Sequence, residues 1–281
     1  MINPARKAPP LSYRGLFKWT LDILRYYRVK PRESLGQNFL VKPEIVFDVV
    51  SCLLENSCSR ILEIGTGLGV LSYYLSSICG NMLGVEVDPV LAEISYNITR
   101  YVGGNIALGD GLDFLGSGRF HQLVSNTPYH LSAKIISKMA RDNAIQSASL
   151  LVQKEVGNRI TAPPGSKDYG RISIISQLFF DVNVMRVYPP TFFHPRPEVD
   201  GILLCFRRRK KWTRLHDDLE KVTGCIFSGR NKKAVKQVER CVELSRLELE
   251  WVQDKRVREL TPWDIEKILE TVRLKGGYTR E

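Results

Sequence analysis

The segment Ile61-Leu-Glu-Ile-Gly65-Thr-Gly67-Leu-Gly69 constrains the fold more than any other stretch of the chain. Its apolar start reads as a short buried strand, and helical spacing of apolar residues follows at once from Val70 to Ile78. Three residues without a Cβ between strand and helix allow a sharp turn and let a ligand approach the amides at the helix N-terminus. The alternation then repeats: strands are expected at Met82–Val87, near Asp110, at His121–Ser125 and at Ala148–Gln153, with helices at Pro89–Tyr101 and Ser132–Arg141. Helices are also expected at Ile45–Leu54 and Arg171–Phe180. Such alternation predicts an α/β fold, a doubly wound, mostly parallel Rossmann-like sheet with helices on both faces. Two later β-rich runs, Val182–Tyr188 and Val199–Phe206, predict an antiparallel addition at the sheet edge.

Three regions follow. Residues 1–32 form a basic, aromatic-dotted extension, with some helical spacing around Phe17 to Tyr27 and a break at Pro31; residues 33–210 form the sheet domain. In residues 211–281 strand signals give way to charged helical periodicity, which predicts a small all-α domain. The formal charge of +11 favours a polyanionic partner. Its distribution is more informative: Arg6, Lys7, Arg14, Lys18, Arg25, Arg28, Lys30 and Arg32 crowd the extension. Arg207, Arg208, Arg209, Lys210 and Lys211 form a second block. The bland alternatives are a solvated tail and a solvated strand end. The 6 cysteines include no CxxC pair and the 4 histidines do not cluster, so no metal is expected. Buried, reduced thiols are expected, with a small Cys52–Cys58 loop as the alternative. No membrane span or secretory signal is read, and the expectation is a cytoplasmic monomer.

The chemistry sits at the strand ends. Glu86 closes the strand after the glycine turn, where a carboxylate can accept both hydroxyl protons of a ribose. Glycine turn and carboxylate together do not separate a nicotinamide cofactor from S-adenosylmethionine, although G-x-G-x-G spacing, with no pyrophosphate to cradle, leans towards the latter. Asp110 is either a turn residue or an acceptor for a cofactor's adenine amine. The fourth strand end decides the reading: Asn126-Thr-Pro128-Tyr129 puts an amide, a proline-stiffened carbonyl and an aromatic ring at one edge. Adenine N6 is a poor nucleophile because its lone pair is delocalised into the ring. Two acceptors on its protons, the Asn126 side-chain oxygen and a carbonyl at Pro128, would favour a pyramidal nitrogen aimed at a sulfonium methyl. Tyr129 could stack on the base.

With these motifs in place, the chain resembles the family of rRNA adenine N6,N6-dimethyltransferases. Leu35-Gly36-Gln37-Asn38-Phe39-Leu40, Val152-Gln-Lys-Glu155-Val-Gly-Asn-Arg159, Pro164-Gly-Ser-Lys167-Asp-Tyr169-Gly170-Arg171 and Phe193-His-Pro195-Arg-Pro197-Glu-Val-Asp200 resemble its further motifs. Cys225-Ile-Phe227-Ser228-Gly-Arg230-Asn-Lys232-Lys233 resembles, more loosely, the basic helix of its small domain. The resemblance implies a class I methyltransferase fold, S-adenosylmethionine as cofactor, and transfer of two methyls to each of two adjacent adenosines near the 3′ end of small-subunit rRNA, on an immature small ribosomal subunit. It implies cofactor contacts at Gln37, Asn38, Leu40, Gly65, Gly67, Glu86, Asp110 and Asn126. Asn126, Pro128, Tyr129 and Phe193 would form the catalytic set, Phe193 facing the target base or else plugging the domain junction. RNA contacts would come from Arg207, Arg208, Arg209, Lys210, Lys211, Arg230, Lys232 and Lys233. Thr66, Thr127 and Gly201 depart from the commoner residues without removing a proposed contact. The long basic extension points to an archaeal-type member.

Three rivals keep parts of this reading: a resistance-type enzyme acting on large-subunit rRNA, a non-catalytic transcription or assembly factor on the same fold, and a nicotinamide oxidoreductase.

Overall fold

The computed structural model of the chain describes residues 3–32, 35–54, 59–128 and 131–275. The chain folds as two compact units, Met1–Gly157 with Val182–Arg208, and Asn158–Asp181 with Arg209–Glu281. The single cut near residue 210 expected from sequence therefore misses residues 158–181, which belong with the C-terminal residues.

Along the chain, helix α1 (Tyr13–Tyr26) precedes a two-residue strand β1 (Phe39–Leu40) and helix α2 (Pro43–Leu54). Then come β2 (Ile61–Ile64), α3 (Val70–Cys79), β3 (Met82–Glu86), α4 (Pro89–Thr99), β4 (Asn105–Leu108), β5 (Gln122–Asn126), α5 (Ser132–Arg141), β6 (Ser147–Gln153) and α6 (Lys154–Thr161). After α7 (Arg171–Phe179) the strands β7 (Phe180–Tyr188), β8 (Phe193–His194) and β9 (Gly201–Arg208) complete the set. The main sheet runs β4-β3-β2-β5-β6-β9-β7, with β2 parallel to β3 and β5, β3 to β4, and β5 to β6. β9 lies antiparallel to β6. Reversal of strand order beside β2 creates the switch point at which open α/β sheets bind ligands, outside the carboxyl ends of the strands.

Local chemistry fixes the turns. Gly69 has φ +78°, and a Cβ there would lie 2.9 Å from the Ser95 backbone, so α3 packs on α4 at a distance only glycine permits. Pro89 opens α4 behind Asp88, whose side chain accepts from the amides of Val90 and Leu91 at 2.9 and 3.4 Å. β2 is buried along its whole length, which is why its apolar residues do not alternate with exposed polar ones and Glu63 is the one polar residue in it.

Three features escaped the sequence reading. Helix α6 and the antiparallel β1–β8 ribbon, pairing Phe39 with His194 and Leu40 with Phe193, had no periodicity long enough to see. Residues 3–32 of the N-terminal extension are an ordered part of the first unit. Leu16, Trp19, Ile23 and Leu24 of α1 lie in the same buried cluster as Phe39, Val49, Ile61 and Phe193.

The cysteines also differ from expectation. Cys52 on α2 is bonded to Cys205 on β9, across a sequence separation of 153. Cys79 is disulfide-bonded as well, and no free cysteine stands among the described residues. The small Cys52–Cys58 loop is thus replaced by a link between helix and sheet edge, with Cys58 itself outside the described residues. The pairing was invisible in sequence because only the fold brings α2 against β9.

The second unit is built from α7 with α8 (Leu219–Phe227), α9 (Ala234–Cys241) and α10 (Pro262–Leu274). Phe179 stacks on Trp212 at 4.9 Å between ring centroids, and Cys225–Cys241 ties α8 to α9. No helix among the described residues is long and apolar enough to cross a membrane.

Candidate active site

A cavity of about 220 Å³ opens at the carboxyl ends of the parallel strands, lined among others by Gly36, Asn38, Gly65, Glu86, Asp110 and Asn126. Five separate segments of the chain thus converge on one cavity. Gly65 has φ +79° and no atom within 4 Å of the place a Cβ would occupy, so the turn leaves open space beside its backbone. Gln37 and Gly67 also line the cavity.

Glu86 is the electrostatic centre. It is 5 % exposed; its Oε2 accepts from the Gly67 amide at 2.8 Å, and its Oε1 accepts from the amides of Val87 and Asp88 at 3.0 and 3.1 Å. Burial lifts its carboxyl above the usual range, opposed by those backbone hydrogen bonds. A carboxylate offers about four lone-pair sites, so one remains on Oε2 for a ligand hydroxyl. Asp88, beside it, accepts from Gln37 Nε2 at 3.1 Å and pairs with Arg32 at 3.6 Å, which latches the segment before β1 over the cavity. Asp110 caps the short 3-10 helix Gly111–Phe114 through Oδ1, 2.9 Å from the Leu112 amide.

Asn126 ends β5 with a defined orientation. Its Nδ2 donates to the Asn38 carbonyl at 2.9 Å, and because a carbonyl only accepts, the other end of the amide must be oxygen. That oxygen has no partner among the described residues. The two main-chain oxygens that follow differ. Pro128 O already accepts the Leu131 amide at 2.9 Å, whereas Thr127 O accepts no hydrogen bond among the described residues. Expectation had singled out Pro128 alone.

A second, smaller cavity abuts the first at Gly36, Asn38 and Asn126 and is closed by Thr127, Leu151 and Phe193. Phe193 is 5 % exposed and belongs to the core of the first unit. Leu40 does not line the main cavity; buried and paired with Phe193, it lines a neighbouring pocket beside Asn126. Tyr129 lies outside the described residues.

The expected RNA-contacting residues separate into different kinds. Arg208 is a structural cation. Its guanidinium donates to the carbonyls of Ile145, Ala140, Met139 and Asp142 at 2.6 to 3.2 Å, closing the C-terminal end of α5. Burial brings it down to about 10, with Asp142 pulling the other way. Arg209 pairs with Asp181 at 3.4 Å and lies over the Trp263 ring, and Lys210 pairs with Glu266. Arg230 donates to the carbonyls of Ser166 and Lys167 at 3.2 and 2.7 Å. Arg207, Lys211, Lys232 and Lys233 are exposed.

Sequence reasoning passed over Glu63 except as the start of the glycine turn. It is 1 % exposed, accepts from Ser72 Oγ at 2.5 Å, and lines the small pocket beside Gly65, Gly67 and Asn126. Burial pushes its carboxyl up to about 8, with the nearby Glu86 charge adding to the rise. A carboxylate inside an otherwise apolar strand was the available signal.

Residues 28–275 match the model of the ribosomal RNA adenine dimethylase family. The chain belongs to that family. It is an S-adenosylmethionine-dependent methyltransferase, and the glycine turn, the buried Glu86 carboxylate with its spare lone pair and the adjoining Asp110 fit that cofactor's polar and apolar parts. Among curated relatives it is 31 % identical to the probable ribosomal RNA small subunit methyltransferase A of Methanothermobacter thermautotrophicus, over 94 % of this chain and 98 % of the relative. The protein of the same name from Aeropyrum pernix is 33 % identical over 78 % and 82 %. A dimethyladenosine transferase from Plasmodium falciparum superposes with a TM-score of 0.73 at 22 % identity, over 85 % of this chain and 98 % of that one. The 23S rRNA methyltransferase ErmE gives 0.61 at 20 %, over 84 % and 100 %, and shares the family's fold. Fold likeness of this order does not separate small-subunit from large-subunit substrates.

Proposed function

We propose that the chain dimethylates N6 of two adjacent adenosines in the 3′-terminal stem-loop of small-subunit rRNA, acting as a monomer in the cytoplasm on an immature small ribosomal subunit. The observation that carries this is Asn126, an amide clamped through its nitrogen with its oxygen left as an acceptor where the two cavities meet.

When bound, S-adenosylmethionine supplies an electrophilic methyl on a positively charged sulfur. Glu86 would hold one ribose hydroxyl with its remaining lone pair, Asp110 the adenine amine, and the Gln37–Asn38 segment the methionine end. Asn126 Oδ1 and a main-chain oxygen of the Thr127–Pro128 turn would accept the two protons of the target N6. That draws its lone pair out of the ring and along the line of attack. The unpartnered Thr127 carbonyl can do this without competition; Pro128 O would share its second lone pair. Phe193 closes the smaller cavity, and Tyr129 would stack on the base. The amine would gain charge as the N–C bond forms and the methyl's bond to sulfur breaks, leaving a neutral thioether, and would then lose a proton to water, so no side-chain base is needed. Lys211, Lys232 and Lys233, with Arg207 also exposed, are the RNA contacts of choice. The small-subunit assignment rests on the two relatives named above, one of which aligns over nearly its full length.

Incubating purified protein with labelled cofactor and either small or large ribosomal subunits tests the reading, with mass spectrometry of the digested RNA. N6,N6-dimethyladenosine in small-subunit RNA is expected; label confined to large-subunit RNA overturns it.

A further inference from the structure

We propose that helix α1, which lies outside the residues matched by the family model, is an RNA-docking element whose basic stripe receives the phosphate backbone flanking the target adenosine. The inference rests on the small-subunit rRNA reading above.

The helix has two faces. At about 100° per residue, Leu16, Trp19, Thr20, Ile23 and Leu24 project to one side and Arg14, Lys18 and Arg25 to the other, the three cations within about 40° of one another. The first group is buried and the second exposed. Burial of the apolar side fixes the rotation of the helix, so the cations are held outward rather than left on a mobile tail. The chain continues the stripe past the helix end with the exposed Arg28 and Lys30. None of these five cations forms an ion pair among the described residues, and Asp22 is the only acidic residue on the helix. Self-pairing therefore does not consume this charge, unlike that of Arg209 and Lys210.

Position makes the stripe specific. Arg25, Arg28 and Lys30 line a shallow groove of about 380 Å³ together with Leu21, Leu24 and His194. Phe17 meets the His194 ring edge-on at 5.9 Å. His194 directly follows Phe193, which closes the cavity beside Asn126. A basic groove thus lies one residue along the β1–β8 ribbon from the proposed target pocket. A flipped adenosine carries phosphates on both sides, within a few ångströms of its base, and these need neutralisation to be held at the protein surface. The groove's apolar floor suits ribose and base edges, and its rim suits phosphate.

The test replaces Lys18, Arg25, Arg28 and Lys30 together by Gln. Binding to a synthetic 3′-terminal small-subunit stem-loop is measured from 50 to 200 mM salt, alongside turnover and cofactor binding. Each lost phosphate contact flattens the log–log salt slope by about 0.7 to 0.9, so a decrease of about 3 to 4 is expected for the four cations. KM for RNA should rise at least tenfold, with kcat, cofactor affinity and melting temperature unchanged. An unchanged salt slope overturns the proposal. So does weakened binding to intact subunits with unaltered stem-loop binding, which would assign the stripe to a ribosomal protein. If the wild-type protein methylates only large-subunit RNA, the substrate reading fails, and that arm of the experiment is separate from the salt slope.

Discussion

Asn126 shows how one hydrogen bond turns a residue type into a role. The motif placed an amide at a strand end, but an amide can point either end at a substrate, and only the Asn38 carbonyl decides that the oxygen is offered. Asn126→Ala should lower kcat by about 100-fold or more, on the scale of losing one preorganised polar group at a reacting centre. Cofactor affinity, followed by equilibrium dialysis, should change little. Arg208 makes the opposite case. In sequence it was one of five consecutive cations, yet its guanidinium is spent on four carbonyls. Arg208→Gln should cost on the order of 3 kcal/mol in urea unfolding, since buried carbonyls lose a charged donor. The salt slope of RNA binding should stay as it is. Glu63 carries a pH signature. Because its folded carboxyl titrates near 8 rather than 4.5, the folded state holds a proton that the unfolded state has lost between those values. Its share of stability is therefore complete below about pH 4.5 and disappears as pH rises through about 8. Glu63→Gln should flatten the fall in melting temperature between pH 6 and pH 8.5, and an equally steep fall in the variant would remove Glu63 as its source.

At the level of elements, periodicity worked where a segment was long and one-sided. Helix α5 has the bounds expected of it, and β2 to β6 lie where apolar runs end in turn residues. It failed for β1 and β8, because a pair of two-residue strands is specified by its partner rather than by its own sequence. It undervalued α1, read only as some helical spacing in a basic, aromatic-dotted extension, although Leu16, Trp19, Ile23 and Leu24 build the core. Ile23→Ala should cost about 2 to 5 kcal/mol, as for any fully buried aliphatic residue, and the loss should appear in the unfolding of the first unit. A loose extension would tolerate the change.

For the whole molecule, covalent links add to packing. The Cys52–Cys205 bond closes a separation of 153 residues and the Cys225–Cys241 bond one of 16. Loop-closure entropy assigns them about 5 and about 3 kcal/mol respectively. Replacing each pair by serine should lower the melting temperature in that order, the longer loop costing more, and a reductant, which also opens the bond at Cys79, should lower it by at least the sum. By itself the sequence determined the doubly wound sheet and placed the candidate chemistry at its strand ends, because strand period, glycine turns and residue chemistry are local properties. Tertiary structure alone decided which lone pairs remain available, which cations face solvent, which cysteines meet and that α1 belongs to the core. Those depend on what lies within a few ångströms in space, and neighbours in space are separated here by tens to hundreds of residues along the chain.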